Sequence, residues 1–308
     1  MVLCRSGAVG LATEPARDCR VARRRQGVGE ALGRVLCPVG PNRGPSSALQ
    51  RRIFFHTYLS GAHTLHEEWG AEGNLANWDE GILSSYGRVT RDLLDFQDAH
   101  PDVGEPFTPI ALVLDANEAP PDPTPWSKIK EGLFSLGEED KRNAAREGAG
   151  KAEASCYAPC GLPELFDILP SDAPEALRSE YKAVIPVTKE ATPDGSPWER
   201  LQKAAADLSP FARSTHLQMQ INFRGSDGAW LVALYNPWGA RRGDVTQVGS
   251  VLDEGCAVTD VIAPNFPIQS ARPIHAWPAS SALTVTDGKL HATVGPGGTL
   301  IIEINPQA

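Results

Sequence analysis

Long apolar runs are missing from these 308 residues. Nowhere do about 20 consecutive apolar side chains occur, the length a helix needs to cross a bilayer, so no membrane span is expected. Sulfur is sparse, with two Met and six Cys. Cys4, Cys19 and Cys37 lie near the amino terminus, and Cys156, Cys160 and Cys256 in the remainder. No pair has zinc-ribbon spacing, and three thiols in so large a body make no disulfide framework. A reducing cytoplasm is the expected compartment. Lysine is absent from residues 1–52, where ten Arg stand against Glu14, Asp18 and Glu30. That net of +7 leaves −16 for the rest of a chain whose formal charge is −9. So acidic a body lacks the clustered cations that displace counterions, which excludes nucleic acid as a partner. No cofactor motif is present. Gly295-Pro296-Gly297-Gly298 has neither the Lys-Ser/Thr nor the following helix of a phosphate loop. No cofactor and no metal are expected.

Residues 1–39 show no sustained period of either kind and few aromatics. A signal peptide would need a 7–15-residue apolar core, and Ala8 to Ala12 is too short and is broken by Gly10. A transit peptide would carry more Ser. Lys-free, Arg/Gly/Ala-rich sequence is what a GC-rich gene yields in a wrong frame or from a mis-set start; a disordered tail is the alternative. These residues are expected to stay outside the fold.

From about Gly40 the character changes. Phe55, Tyr58, Leu59 and Ala62 share one helical face, with Ser46 or Ser47 as cap and Gly61 near the helix end. His63 to Trp69 alternates as a short strand. A long loop follows, of the length that carries function rather than merely connecting. Tyr86, Val89, Leu93 and Phe96 then predict a second amphipathic helix capped by Ser84 or Ser85. Ile110 to Leu114 is an apolar run without alternation, as in a strand buried on both faces. Ser127 to Lys151 is a charged, Ala-rich helix candidate. Leu162 to Leu169 reads as a short helix running into a strand, Tyr181 to Val187 as another buried strand, and Pro197 to Leu208 as a helix with Leu201, Ala204, Ala205 and Leu208 on one face. From Arg213 onward everything reads as β, with hairpin turns at Ser226-Asp227-Gly228 and Asp287-Gly288. The expected fold class is therefore multidomain, α/β followed by all-β. The expected division is a leader at 1–39, then 40–108, a small α/β domain at 109–210, and an antiparallel β-sandwich at 211–308.

This order of segments resembles the C-terminal part of clan A glycoside hydrolases. The stretches that carry the likeness are LQRRIFFHTYLSGAHTLHEEWG, YGRVTRDLLDF, TPIALVLD, LPELFDIL and YKAVIPV, followed by the terminal β region. The architecture is similar to family 42-type β-galactosidases, where a TIM barrel precedes an amidotransferase-like trimerisation domain and a β-sandwich. The resemblance covers about residues 40–308 and rests on domain order rather than on a short signature. It implies that residues 40–108 are the end of a (β/α)₈ barrel, that the substrate is an oligosaccharide or polysaccharide, and that copies assemble through the middle domain. A full barrel takes about 250 residues. The two catalytic carboxylates of such an enzyme match no residue here, so the resemblance implies a fragment that is inactive alone.

Glu67, Glu68, Trp69 and Trp78 are the candidate substrate-binding residues. The first three close a predicted strand, where α/β folds place their chemistry, and Trp78 lies in the following loop. Neighbours on one strand point to opposite faces, so Glu67 and Glu68 alone cannot form the 5–10 Å carboxylate pair of a glycosidase. A plain alternative pairs one Glu with Arg51 or Arg52 and leaves the other solvated. His63 and His66 lie at i, i+3 on a strand and read as structural rather than metal-binding. Cys156 and Cys160 read as ordinary thiols. Trp230, Tyr235, Trp238 and Trp277 suggest a second function class, a non-catalytic carbohydrate-binding or oligomerisation module. Sandwich packing also accounts for most of them. Trp230 and Tyr235 differ by an odd number and should face opposite ways. A third reading is a gene fragment with no role of its own, its exposed strand edges prone to aggregation.

Overall fold

The computed structural model describes residues 46–62, 64–67, 74–77, 79–114, 164–187, 195, 197–213, 217–242 and 250–307, together with a strand at Gly33–Leu36. That strand, β1, runs parallel to β2 (Thr64–Glu67), with Gly33 opposite Thr64 and Leu36 opposite Glu67. Between them lies helix α1 (Ser47–Leu59). Two parallel strands joined through a helix form a βαβ unit. It draws in four residues of the leader that composition set apart from the fold. The rest of the leader, and the helix candidate at Ser127 to Lys151, lie outside the described residues.

Ser46 Oγ accepts a hydrogen bond from the Leu49 N–H (3.1 Å), which caps α1 as its sequence predicts. Gly61, at φ 82°, turns the chain out of the helix. The single apolar face expected of α1 is not what the structure shows. Twelve of its 13 residues are buried, Gln50, Arg51, Arg52 and His56 among them. The helix lies against one face of a five-stranded sheet ordered β15-β18-β11-β10-β5. These strands are Ile268–Trp277, Thr299–Pro306, Ala229–Tyr235, Gln218–Arg224 and Glu105–Pro106. Helix α2 (Ser85–Ala99) packs beside α1, with Tyr86, Val89, Leu93 and Phe96 buried as predicted. Ser84 Oγ accepts from the Gly87 N–H, which gives α2 its cap.

The opposite face of the five-stranded sheet meets a second antiparallel sheet, β16-β17-β14-β9 (Ala282–Thr286, Lys289–Val294, Val258–Pro264 and Phe211–Arg213). One continuous core runs between them. Met219, Ile221, Val232 and Ile302 project from one sheet, and Phe211, Ile262, Leu290 and Ala292 from the other. The central sheet is thus buried on both sides, with Leu231, Ala233 and Tyr235 toward α1 and Val232 and Leu234 toward the partner sheet. Both predicted hairpins form. Gly228 adopts φ 74°, and Asp287 and Gly288 adopt φ 51° and 71°, a pair of positive values that matches the strand twist of a two-residue turn. A small hairpin, β12 (Ala240–Arg242) with β13 (Ser250–Leu252), stands apart from the two sheets.

A third sheet is parallel, ordered β7-β6-β8 (Phe166–Pro170, Ile110–Leu114 and Ala183–Pro186). As its unbroken apolar run predicts, β6 is central, and Ile110, Ala111 and Leu112 are each fully buried. The face bearing Ile110 and Leu112 joins the sandwich core through Leu201 and Ala205 of helix α4 (Pro197–Leu208). The other face lies under Ala173, Leu177 and Tyr181, around the short helix α3 (Glu175–Arg178). Asp167 ties the sheet together, accepting from the Thr108 hydroxyl (2.7 Å) and the Tyr181 hydroxyl (2.8 Å). Two features cross the divisions expected from sequence. Residues Glu105–Pro106 pair with β10, and the core of the parallel sheet is continuous with that of the sandwich.

Candidate functional site

The β1–α1–β2 unit fixes where a site can form. Leu36 and Glu67 are register partners, so both parallel strands end at the same level. Open α/β sheets place ligands beyond such carboxyl ends. Glu67 is the last residue of β2, and Glu68 and Trp69 follow it in the chain. The side chain of Glu67, and all of Glu68, Trp69 and Trp78, lie outside the described residues, as do His63, Cys156 and Cys160 and the side chain of His66.

Beyond the strand end the loop returns through a hairpin of β3 (Leu75–Asn77) and β4 (Ile82–Leu83). Asn77 Oδ1 accepts from the Asp79 N–H (3.0 Å) and the Glu80 N–H (3.3 Å), which ties the end of β3 to the backbone ahead of β4. Asn74 anchors the hairpin to α2. Its carbonyl accepts from the Ser84 N–H (2.9 Å), and its side-chain oxygen accepts from the Thr90 hydroxyl (3.2 Å). Gly87 makes this approach possible, because a Cβ there would lie 2.1 Å from the Asn74 carbonyl oxygen. Gly87→Ala is expected to detach the hairpin while α2 persists. Limited proteolysis within residues 68–84 should then run at least tenfold faster, with far-UV circular dichroism nearly unchanged.

What holds α1, and hence the strand ends, is a polar layer that alternation in β10 misplaces. Gln218, Gln220 and Asn222 occupy the face that a two-layer sandwich would give to solvent. Here α1 covers it, and the amides take up carbonyls at the end of the helix, where intrahelical donors run out. Asn222 donates to the Leu59 carbonyl (2.8 Å) and the Val103 carbonyl (3.2 Å). Gln220 donates to Ser60 Oγ (2.9 Å) and accepts from the Tyr235 hydroxyl (2.9 Å). His56 Nε2 sits 2.9 Å from Glu164 Oε2, and Gln218 donates to the same carboxylate. At the other side of α1, Arg51 pairs with Asp92 and stacks over the Trp277 ring at 4.7 Å, while Arg52 points toward the Gly297 and Asn236 carbonyls. The helix's polar residues thus position the βαβ unit.

The four aromatics of the β region do not share a face. Trp230 packs among Phe107, Phe211, Phe223 and Phe266, and Trp238 lines the same core. Tyr235 is fully buried on the opposite side of β11, as the odd spacing predicts. Trp277 lies under Arg51. Among the described residues, no three or more His, Cys, Asp or Glu side chains come together as a metal would require, and no helix is long and apolar enough to cross a membrane.

No known protein family and no curated protein matches the chain. Among solved structures it is similar to an α-L-fucosidase isoenzyme from Paenibacillus thiaminolyticus, with 9% identity, 94% of this chain and 63% of that one covered, and a TM-score of 0.42. It is also similar to the catalytic module of a family 98 glycoside hydrolase from Streptococcus pneumoniae, solved with the Lewis Y pentasaccharide, with 8% identity, 85% and 56% covered, and a TM-score of 0.37. A bifunctional glucanase-xylanase from a metagenome library matches at 11% identity, 87% and 61% covered, and a TM-score of 0.22. The chain spans 56–63% of the length of these three proteins. TM-scores this low do not establish a shared fold.

Proposed function

We propose that this chain is a carbohydrate-binding portion of a glycoside-hydrolase-like protein, with the sugar contacted at the carboxyl edge of β1 and β2. The observation that carries the reading is the in-register parallel βαβ unit whose second strand ends on Glu67. Glu68 and Trp69 come next in the chain, and Trp78 follows in sequence between Asn77 and Asp79. Carboxylates accept hydrogen bonds from sugar hydroxyls, and an indole face covers the apolar side of a pyranose. The sequence resemblance to family 42-type β-galactosidases supports a β-linked oligosaccharide as ligand. Among the described residues parallel pairing is confined to β1 with β2 and to the sheet β7-β6-β8, where a closed barrel needs eight strands in one ring. The chain by itself therefore binds sugar without turning it over.

Affinity electrophoresis in gels containing galactan or xylan should retard the chain, and Glu67→Gln with Glu68→Gln should release it. Aryl β-glycosides should not be hydrolysed above the buffer rate. Free migration in every glycan overturns the binding site. Turnover that disappears with Glu67→Gln overturns the absence of catalysis.

A further inference from the structure

The edges of the described sheets are blunted, with one exception. Strand β5 has two residues, one of them Pro106, and β9 has three. Strand β15 carries Pro273 and Arg272 and slips register between Ile268 and Ser270 and again between Pro273 and His275. In the parallel sheet, β7 and β8 end on Pro170 and Pro186. Strands β1 to β4, β12 and β13 have four residues or fewer. These are the devices by which native sheets avoid pairing with other chains. Strand β16 has none of them. Its sequence is Ala-Leu-Thr-Val-Thr, without charge or proline, and its register with β17 is unbroken from Ala282–Thr293 to Thr286–Lys289. It ends its sheet, with β17 as its one partner among the described strands, and Val285 is 46% exposed.

We propose that β16 is a pairing edge and that its occupant is β16 of a second copy of this chain. The strand is complementary to itself. A two-fold axis through Thr284 sets Thr284 opposite Thr284 of the second copy, Leu283 opposite Val285, and Ala282 opposite Thr286. Leu283 packs against the sandwich core, so each antiparallel pair covers an exposed Val285 with a Leu on the inner side. The hydroxyls of Thr284 and Thr286 stay on the outer side, where Thr259, His291 and Thr293 line a shallow groove of about 370 Å³. The two four-stranded sheets become one of eight strands. No like charges meet, and opposite-face mismatches do not arise in this register. A single five-residue pairing buries less than the roughly 1,200 Å² of a standard interface, so the dimer is weak and concentration-dependent.

Sedimentation velocity of the full chain from about 10 µM to about 1 mM should show the average mass rising toward twice the monomer value. Thr284 is exposed, so Thr284→Lys leaves the fold in place but sets two cations against each other. It should weaken association at least tenfold, as should Thr284→Glu. An equimolar mixture of the two variants should associate at least as tightly as the unaltered chain. A constant monomer mass across the range overturns the proposal. So does unaltered association of Thr284→Lys, or a mixture that associates no better than either variant alone.

Discussion

Replacing Arg52 with Ala is expected to cost roughly 3–6 kcal/mol of stability, a large share of what a domain possesses. Arg52 is 1% exposed at the centre of α1 and donates to the Gly297 carbonyl at 2.9 Å and toward the Asn236 carbonyl at 3.4 Å. Its loss opens a cavity and strands buried acceptors. The two acceptors belong to one construction. Asn236 is fully buried, and its amide lies 2.9–3.0 Å from the carbonyls of Cys256, Val294 and Gly295. The turn from Gly295 to Gly298 passes so close that a Cβ on Gly297, at φ 62°, would lie 3.0 Å from Ala48 of α1. Arg52 therefore pins the helix to the end of the sandwich. Arg52→Met, which fills the space but cannot donate, should recover about 2 kcal/mol relative to Ala. Urea unfolding midpoints of the three proteins measure both steps. Equal stability of Arg52→Ala and the unaltered chain would remove Arg52 from this role.

A second large effect is expected from pH. His275, on β15, is stacked on Phe55 with ring centroids 4.1 Å apart, and Phe96 meets it edge-on at 5.9 Å. Burial first, then the charges of Arg51 and His100, push its pKa down to about 3. In the unfolded chain the same imidazole takes up a proton near pH 6.5. Between those two values the unfolded state binds more protons, so stability falls as pH falls, by up to about 1.4 kcal/mol per pH unit. Above pH 6.5 the contribution is constant. His275→Phe keeps a stacking ring and removes the titration. Its unfolding free energy should decline less steeply than that of the unaltered chain between pH 6 and pH 4, a difference read from parallel urea titrations. Parallel curves would show that His275 takes up its proton as readily in the folded chain as in the unfolded one.

Local chemistry was the most legible part of the fold. The caps at Ser46 and Ser84, the buried face of α2, the two-sided burial of Ile110 to Val113 and the Asp287-Gly288 turn each follow from a few neighbouring residues. Tertiary covering was not legible. Sequence gives α1 one apolar face, Phe55, Tyr58, Leu59 and Ala62, and nothing in it shows that a sheet and a second helix also enclose Arg51, Arg52 and His56. Nor does sequence show that the amides of Gln220 and Asn222 on β10 serve the end of α1. Strand β1 was hidden in an Arg- and Gly-rich stretch whose composition masks the four-residue run Gly-Arg-Val-Leu; only its pairing with β2 reveals it. For the candidate site, alternation placed a strand at His63 to Trp69, of which the structure describes Thr64–Glu67, and the register sets the end of a second strand beside Glu67.

Sugar binding is proposed at that strand end. Titration calorimetry of the full chain with β-linked galacto- and xylo-oligosaccharides tests it most directly. The account predicts saturable binding that weakens at least tenfold when Glu67, Glu68 and Trp69 become Gln, Gln and Ala, while Trp277→Phe leaves the affinity unchanged. Heat signals that are absent for every oligosaccharide, or that survive the triple substitution intact, would contradict it.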